Sequence, residues 1–244
     1  MQDIEFKLDT GQYSGKKGSG TEHLIVCYVD RVLKLLDSTT AQSAVIAAAA
    51  DFVSAFDKTD PTLTASKFIS IGIRPSIIPI LISYMTNRKM IVKFKGILTQ
   101  PYALIGGGPQ GTLLGGLQYI ITSNDCAIDK VKVEDRYKYY DDLNILEFVL
   151  LSDLLVNYNV SEQVPSDIGT HQKYLNSSLI EMQGHLDYIT KWTSENLMQI
   201  NESKSNFIIF TRSKQEFTTR LYINVVNLER LSVIKLLGIW LGRT

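Results

Sequence analysis

Two adjacent carboxylates, Asp141 and Asp142, close the run Arg-Tyr-Lys-Tyr-Tyr-Asp-Asp at 136–142. Residues 136–148 read as two short strands around the acidic pair, a β-hairpin. A third carboxylate, Asp51, ends the apolar run Ala-Val-Ile-Ala-Ala-Ala-Ala at 44–50. Periodicity alone does not choose between a buried strand and a short helix for that run, and alanine is a poor strand former. A shared acidic site favours a central strand ending at Asp51. Two acids at a hairpin tip and a third at the end of a neighbouring strand can hold two divalent cations. Two metals about 4 Å apart clamp the attacking and leaving oxygens of a phosphoryl transfer. Mg²⁺ suits this work, with Mn²⁺ as a substitute, because it takes a few carboxylates plus substrate phosphates rather than a closed protein cage.

Around these acids the hydrophobic pattern alternates between helix and strand. Ile25, Val29, Val32, Leu33 and Leu36 follow helical spacing over 21–37, with Thr21 as the expected N-cap. Residues 62–71 and 75–86 read as two helices separated by Gly72. A strand from Met90, a turn near Gly96 and a return strand over 102–105 come next. Gly106-Gly107-Gly108-Pro109 forces a loop, and a helix over 112–125 follows with Thr112 near its start. The segment 157–170 is polar and reads as a loop. From 172 to 193, Leu175, Leu179, Met182, Leu186 and Ile189 make one apolar face of a long helix. Strands are expected at 197–200, 206–211, 220–225 and 233–241. The sum is an α+β chain, with helices on one face of an antiparallel sheet.

Composition excludes some classes. Apolar residues make up 45% of 244, enough for a core, and no run is long enough to span a membrane. There is no signal-peptide pattern at the N-terminus. The glycosylation patterns at Asn159, Asn176 and Asn201 are therefore read as chance, and the protein as intracellular. Cys27 and Cys126 lie far apart and read as reduced, buried thiols. His23, His171 and His185 have no metal-ligand spacing. Formal net charge is zero, from 25 basic and 25 acidic residues, so any polyanion must be met by local patches such as Lys16-Lys17, Arg88-Lys89, Lys93 with Lys95, and Lys130 with Lys132.

Six stretches in order carry a resemblance to the reverse transcriptases of non-LTR (LINE-like) retrotransposons. They are Gln-Tyr-Ser-Gly-Lys-Lys-Gly-Ser-Gly-Thr-Glu-His (12–23), Asp-Phe-Val-Ser-Ala-Phe-Asp (51–57), Gly-Gly-Gly-Pro-Gln-Gly-Thr-Leu-Leu-Gly (106–115), Tyr-Tyr-Asp-Asp (139–142), Asn-Glu-Ser-Lys-Ser (201–205) and Leu-Leu-Gly-Ile (236–239). The resemblance covers nearly the whole chain. It implies a polymerase right-hand palm, with residues 1–43 a remnant of the fingers and 44–244 the palm, including part of the fingers at about 62–105. It also implies RNA-directed DNA polymerase activity on an RNA template, a DNA primer and dNTP, with two Mg²⁺ ions.

The resemblance assigns roles by position. Asp51 and Asp141 match metal ligands, Asp142 shares or tunes them, and Phe52 offers its backbone carbonyl. Phe56 matches a bulky aromatic that would clash with a ribose 2′-hydroxyl. RNA-directed RNA polymerases, the alternative reading among enzymes, place an acid near this point; Asp57 lies one residue later, and the Ala55-Phe56 pair argues against that register. Pro109, Gln110 and Gly111 match the loop that positions the template and incoming base. Lys204 matches a lysine that could protonate the leaving pyrophosphate, and Leu237-Gly238 matches a hairpin that grips the primer. Arg136 and Lys138 would meet the primer backbone or be solvated. Tyr140 stands where the family often has a smaller residue. Upstream finger strands, a thumb, an endonuclease and an RNase H segment are absent from the sequence, so a piece of a larger polyprotein is expected. A catalytically silent, retrotransposon-derived domain that binds nucleic acid or protein is the alternative from another class.

Overall fold

The computed structural model describes residues 7–38, 43–150, 177–212 and 219–242. The expected loop at 157–170 and the expected helical residues before 177 lie outside them. A five-stranded sheet organises the described chain. Its central strand is β1 (Ser43–Ala50). One neighbour is β7 (Asp142–Leu150), which pairs outward with β6 (Arg136–Tyr139). The other neighbour is β8 (Asn206–Thr211), which pairs outward with β11 (Glu229–Leu231). All pairs are antiparallel except β11 with β8, which is parallel. The sheet is therefore mixed rather than wholly antiparallel.

The alanines of β1 form a strand because the strand is covered on both faces. Ala44, Ile46, Ala48 and Ala50 face one core, and Val45 and Ala47 the other. Small side chains let elements on both sides approach closely, which offsets their weak strand propensity. On the first face lies α5 (Ser177–Glu195), through Leu179, Met182, Leu186, Ile189 and Trp192. On the second lies α1 (Thr21–Asp37), through Leu24, Tyr28 and Val32. Helices on one face only was the expectation. The helical stripe of α1 requires burial without saying against which side of a sheet, and the chain uses both.

Other elements shift at their ends. Gly20, not Thr21, is the N-cap of α1, and it makes no side-chain capping bond. The pair of expected helices runs as α2 (Pro61–Ser70), capped by Asp60, and α3 (Ile78–Met85). Next comes a long hairpin of short pairs, β2 (Lys89–Met90) with β5 (Tyr102–Ala103) and β3 (Lys93–Phe94) with β4 (Ile97–Leu98). Partners sum to 191 in the inner pair and 192 in the outer pair. The return strand thus carries one extra residue near Gln100 and Pro101, a bulge where proline removes no needed donor.

α4 (Leu113–Thr122) begins at Thr112, whose hydroxyl accepts the Gly115 amide at 3.0 Å, as expected. Residues 197–200 form no strand, only a bridge between Phe52 and Ile200. The expected 220–225 and 233–241 strands resolve into the hairpin β9 (Tyr222–Ile223) with β10 (Val226–Asn227), and the hairpin β12 (Val233–Leu236) with β13 (Ile239–Gly242). Leu237 and Gly238 turn the second hairpin with φ of 46° and 94°. Among the described residues no helix is long and apolar enough to cross a membrane.

Candidate active site

Sheet register brings the three carboxylates to one edge. Ala50 of β1 lies opposite Leu143 of β7. One residue further, Asp51 comes level with the Asp141–Asp142 end of the hairpin. Tyr139 pairs with Asp142, leaving Tyr140 and Asp141 as a two-residue turn. Tyr140 adopts φ of 52°, a conformation that β-carbons disfavour and that hairpins usually give to glycine. Its amide donates to the Ser14 hydroxyl at 2.9 Å, and its ring packs near Phe56, with centroids 5.9 Å apart. Gly116 makes room for that ring: a β-carbon there would lie 3.3 Å from the Tyr140 Cε1.

The electrostatics tie the acids together. Burial first, then the charges of Asp141 and Asp51, push the Asp142 carboxyl up to about 6. Asp142 keeps an open outer surface while the sheet side crowds its carboxyl. Burial also raises Asp51, with Asp141 adding to it, against the opposing charge of Lys204 and a hydrogen bond from the Asn201 side chain. The charge of Asp141 acts on both Asp51 and Asp142, a concentration of negative charge that a bound cation would relieve.

The backbone around Asp51 is fixed by the 199–205 turn. Val53 donates to the Gln199 carbonyl and Asn201 donates to the Asp51 carbonyl, each at 2.8 Å. These bonds flank the Phe52–Ile200 bridge, so the bridge leaves the Phe52 carbonyl unused. The Asp51 amide donates to the Ser205 hydroxyl at 3.1 Å. Phe52 itself is buried in the core. Lys204 is exposed, and its charge acts on Asp51.

The glycine-rich loop docks beside this turn. Gly107 donates to the Thr59 carbonyl and Gly108 to the Phe56 carbonyl, both at 2.9 Å. Gly107 has φ of 80°, and a β-carbon there would lie 2.8 Å from the Asp57 Cα, so only glycine fits. The Arg88 guanidinium donates to the Gly106 and Gly107 carbonyls at 2.7 and 2.8 Å. Gln110 donates to Asp57 at 2.7 Å. The Pro109 carbonyl accepts the Thr112 hydroxyl at 2.8 Å, and Gly111 is exposed with φ of 75°. Phe56 stacks on Tyr119 of α4, with ring centroids 4.6 Å apart.

Two expected substrate contacts are absent. Arg136 and Lys138 are buried and hold the buried carboxylate of Asp9, Arg136 Nε at 2.9 Å and Lys138 Nζ at 2.9 Å. They are neither solvated nor free to meet a primer. Alternation along β6 fixes which residues share a face, but a partner from residues 7–16 covers that face. Of the described histidines, His185 lies 3.2 Å from Glu147, and exposed His23 packs edge-on to Tyr13. Cys126 is buried, Cys27 half-buried, and both are free thiols.

The sequence reading missed Asn201 and Ser205, although both lie in a stretch it singled out. It also missed Ser14, in another such stretch, and Tyr119, whose own spacing marks nothing. Arg88 was read as part of a basic patch, but its guanidinium is taken up by the Gly106 and Gly107 carbonyls.

Among the described residues no group of three or more His, Cys, Asp or Glu side chains is placed to hold a metal ion by itself. Mg²⁺ does not require one: it uses one or two carboxylates and completes its shell with water and substrate phosphates. Asp51 and Asp141, with the Phe52 carbonyl, are the groups that would hold such an ion.

No protein-family model and no curated protein matches the sequence. The fold is similar to that of telomerase, a reverse-transcriptase-related polymerase. Against apo telomerase from Candida tropicalis truncated from its C-terminal domain, the TM-score is 0.52 at 12% identity, over 99% of this chain and 44% of that one. Against telomerase from Candida albicans in complex with a TWJ fragment of telomeric RNA, it is 0.54 at 10% identity, over 95% and 36%. The Candida tropicalis enzyme with its TWJ fragment gives 0.54 at 12% identity, over 93% and 36%. The chain spans less than half the length of these telomerase chains.

Proposed function

We propose that this chain is the palm of an RNA-directed DNA polymerase of the non-LTR retrotransposon kind, adding dNTP to a primer 3′-hydroxyl on an RNA template. The observation that carries this reading is the meeting of Asp51, Asp141 and Asp142 at one sheet edge, where the charge of Asp141 acts on both of the others. In the reaction the primer oxygen bonds to the α-phosphorus, the bond to pyrophosphate breaks, and the hydroxyl proton is lost. Asp51 and Asp141 would hold Mg²⁺, or Mn²⁺ in its place, with the Phe52 carbonyl, and Asp142 would add charge beside them. The metal, when bound, supplies charge stabilisation to the attacking and leaving oxygens.

The chain's own groups do the rest. Phe56 and Tyr140 present rings where sugar and primer end would lie. Pro109, Gln110 and Gly111 form a loop whose Gln110 is held by Asp57, so Asp57 is engaged rather than free to read a ribose hydroxyl. That bond favours DNA over RNA synthesis. The charge of Lys204 opposes the rise that burial gives Asp51, and Lys204 would give charge, or a proton, to departing pyrophosphate. The reading places the chain inside a larger polyprotein that supplies the remaining grip on template and primer.

The second reading is a silent domain that binds nucleic acid or protein; the zero net charge weakens grip on a polyanion and so favours the protein partner within it. Primer extension on an RNA template separates the two. Metal-dependent dNTP addition that drops at least about a thousandfold in Asp141→Asn supports the polymerase. Binding without any extension supports the silent domain.

A further inference from the structure

Phe56 is a half-buried ring, so its position is decided by what lies behind it. Behind it is Tyr119, 1% exposed, stacked at 4.6 Å with planes tilted 34°. Beside it is Tyr140, at 5.9 Å, and Tyr140 packs edge-on against Tyr139 at 5.6 Å. Tyr119 cannot yield easily. It sits on α4 between buried Gln118 and buried Ile120, and the helix start is bonded to the Pro109 carbonyl through Thr112. The Tyr119 hydroxyl is buried and has no hydrogen-bond partner, although Asp141, Asp142 and Asp51 all act on it electrostatically. Such an orphan phenol is expensive to retain where phenylalanine would pack as well.

We propose that Tyr119 is a positioning residue for sugar selection: its ring is the floor that holds Phe56 high enough to exclude a ribose 2′-hydroxyl. This rests on the polymerase reading and extends it to a residue that never touches the nucleotide. The ring, not the hydroxyl, does the work. Shortening Tyr119 opens a space beneath Phe56, the ring drops, and the ribonucleotide is admitted. A steric margin of about one methylene corresponds to roughly ten- to two-hundredfold discrimination, so a drop of about an ångström is enough to matter.

The test is the ratio of kcat/KM for dNTP to that for the matching NTP in primer extension. It is measured for the unsubstituted protein and for Tyr119→Leu, Tyr119→Phe and Phe56→Val. The expected result is a ratio lowered about tenfold or more in Tyr119→Leu and Phe56→Val and unchanged in Tyr119→Phe. A lowered ratio in Phe56→Val with an unchanged ratio in Tyr119→Leu overturns the floor role alone. Equal losses in Tyr119→Phe and Tyr119→Leu also overturn it, because the hydroxyl would then be the active part. An unchanged ratio in all three removes the steric gate itself, and no extension by the unsubstituted protein overturns both this inference and the polymerase reading. If Tyr119→Leu fails to fold by circular dichroism, Tyr119→Met, closer in length, replaces it with the same expected direction.

Discussion

Asp9 shows what a single residue does here that its neighbours in sequence do not reveal. Its carboxylate is fully buried, and burial alone would raise its pKa. The hydrogen bond from Arg136 and the charge of Lys138 outweigh burial and hold it at about 2. The folded value lies below the ordinary value of 3.8, so this contribution to stability is complete above about pH 4. It is lost as pH falls from about 4 through about 2. Urea denaturation across that window should show the loss, and Asp9→Asn should flatten it. At pH 7 the same substitution leaves two buried cations short of a counter-charge and should cost about 3–5 kcal/mol. A cost under 1 kcal/mol would mean that Arg136 and Lys138 find water instead. Asp51, Asp141 and Asp142 were legible in the sequence because each sits in a local motif. Asp9 was not, since its partner Arg136 lies 127 residues away. Arg136 and Lys138 were misread for the same reason.

At the scale of elements, the loop 106–111 gives the sharpest test. Gly107 and Gly111 share nearly the same φ, 80° and 75°, but a β-carbon meets Asp57 at Gly107 and nothing within 4 Å at Gly111. Gly111→Ala should therefore cost only the left-handed backbone strain, about 1–2 kcal/mol. Gly107→Ala should cost more, about 2–4 kcal/mol, because the strand-end turn bearing Phe56 and Asp57 must move. Chemical denaturation of the two variants compares them directly, and equal costs would show that the loop does not press on that turn. Boundaries of α1, α2 and α4 were close to their sequence reading because periodicity and caps are local. The hairpin register at Gln100–Pro101 was not read, since a one-residue bulge leaves the alternation of either strand intact. The side of the sheet covered by α1 was also unreadable. A strand buried on both faces has no polar side to mark it, and β1 is such a strand.

For the whole molecule, fold and chemistry rest on different grounds. The sheet with helices on both faces is similar to the fold of telomerase, and the acid edge is where the proposed phosphoryl transfer would take place. Zero net charge predicts weak grip on a duplex by this chain alone. Primer–template binding should then have a shallow salt dependence, since the slope of log affinity on log salt scales with the phosphates neutralised. A slope steeper than about −6 would reveal a basic surface that the charge balance hides. The most direct test of the central claim is Mn²⁺ binding by electron paramagnetic resonance, with primer–template and dNTP present, in the unsubstituted protein, Asp51→Asn and Asp141→Asn. The carboxylate site predicts bound Mn²⁺ in the first and its loss in both variants. Equal binding in all three would place the metal elsewhere and contradict the site.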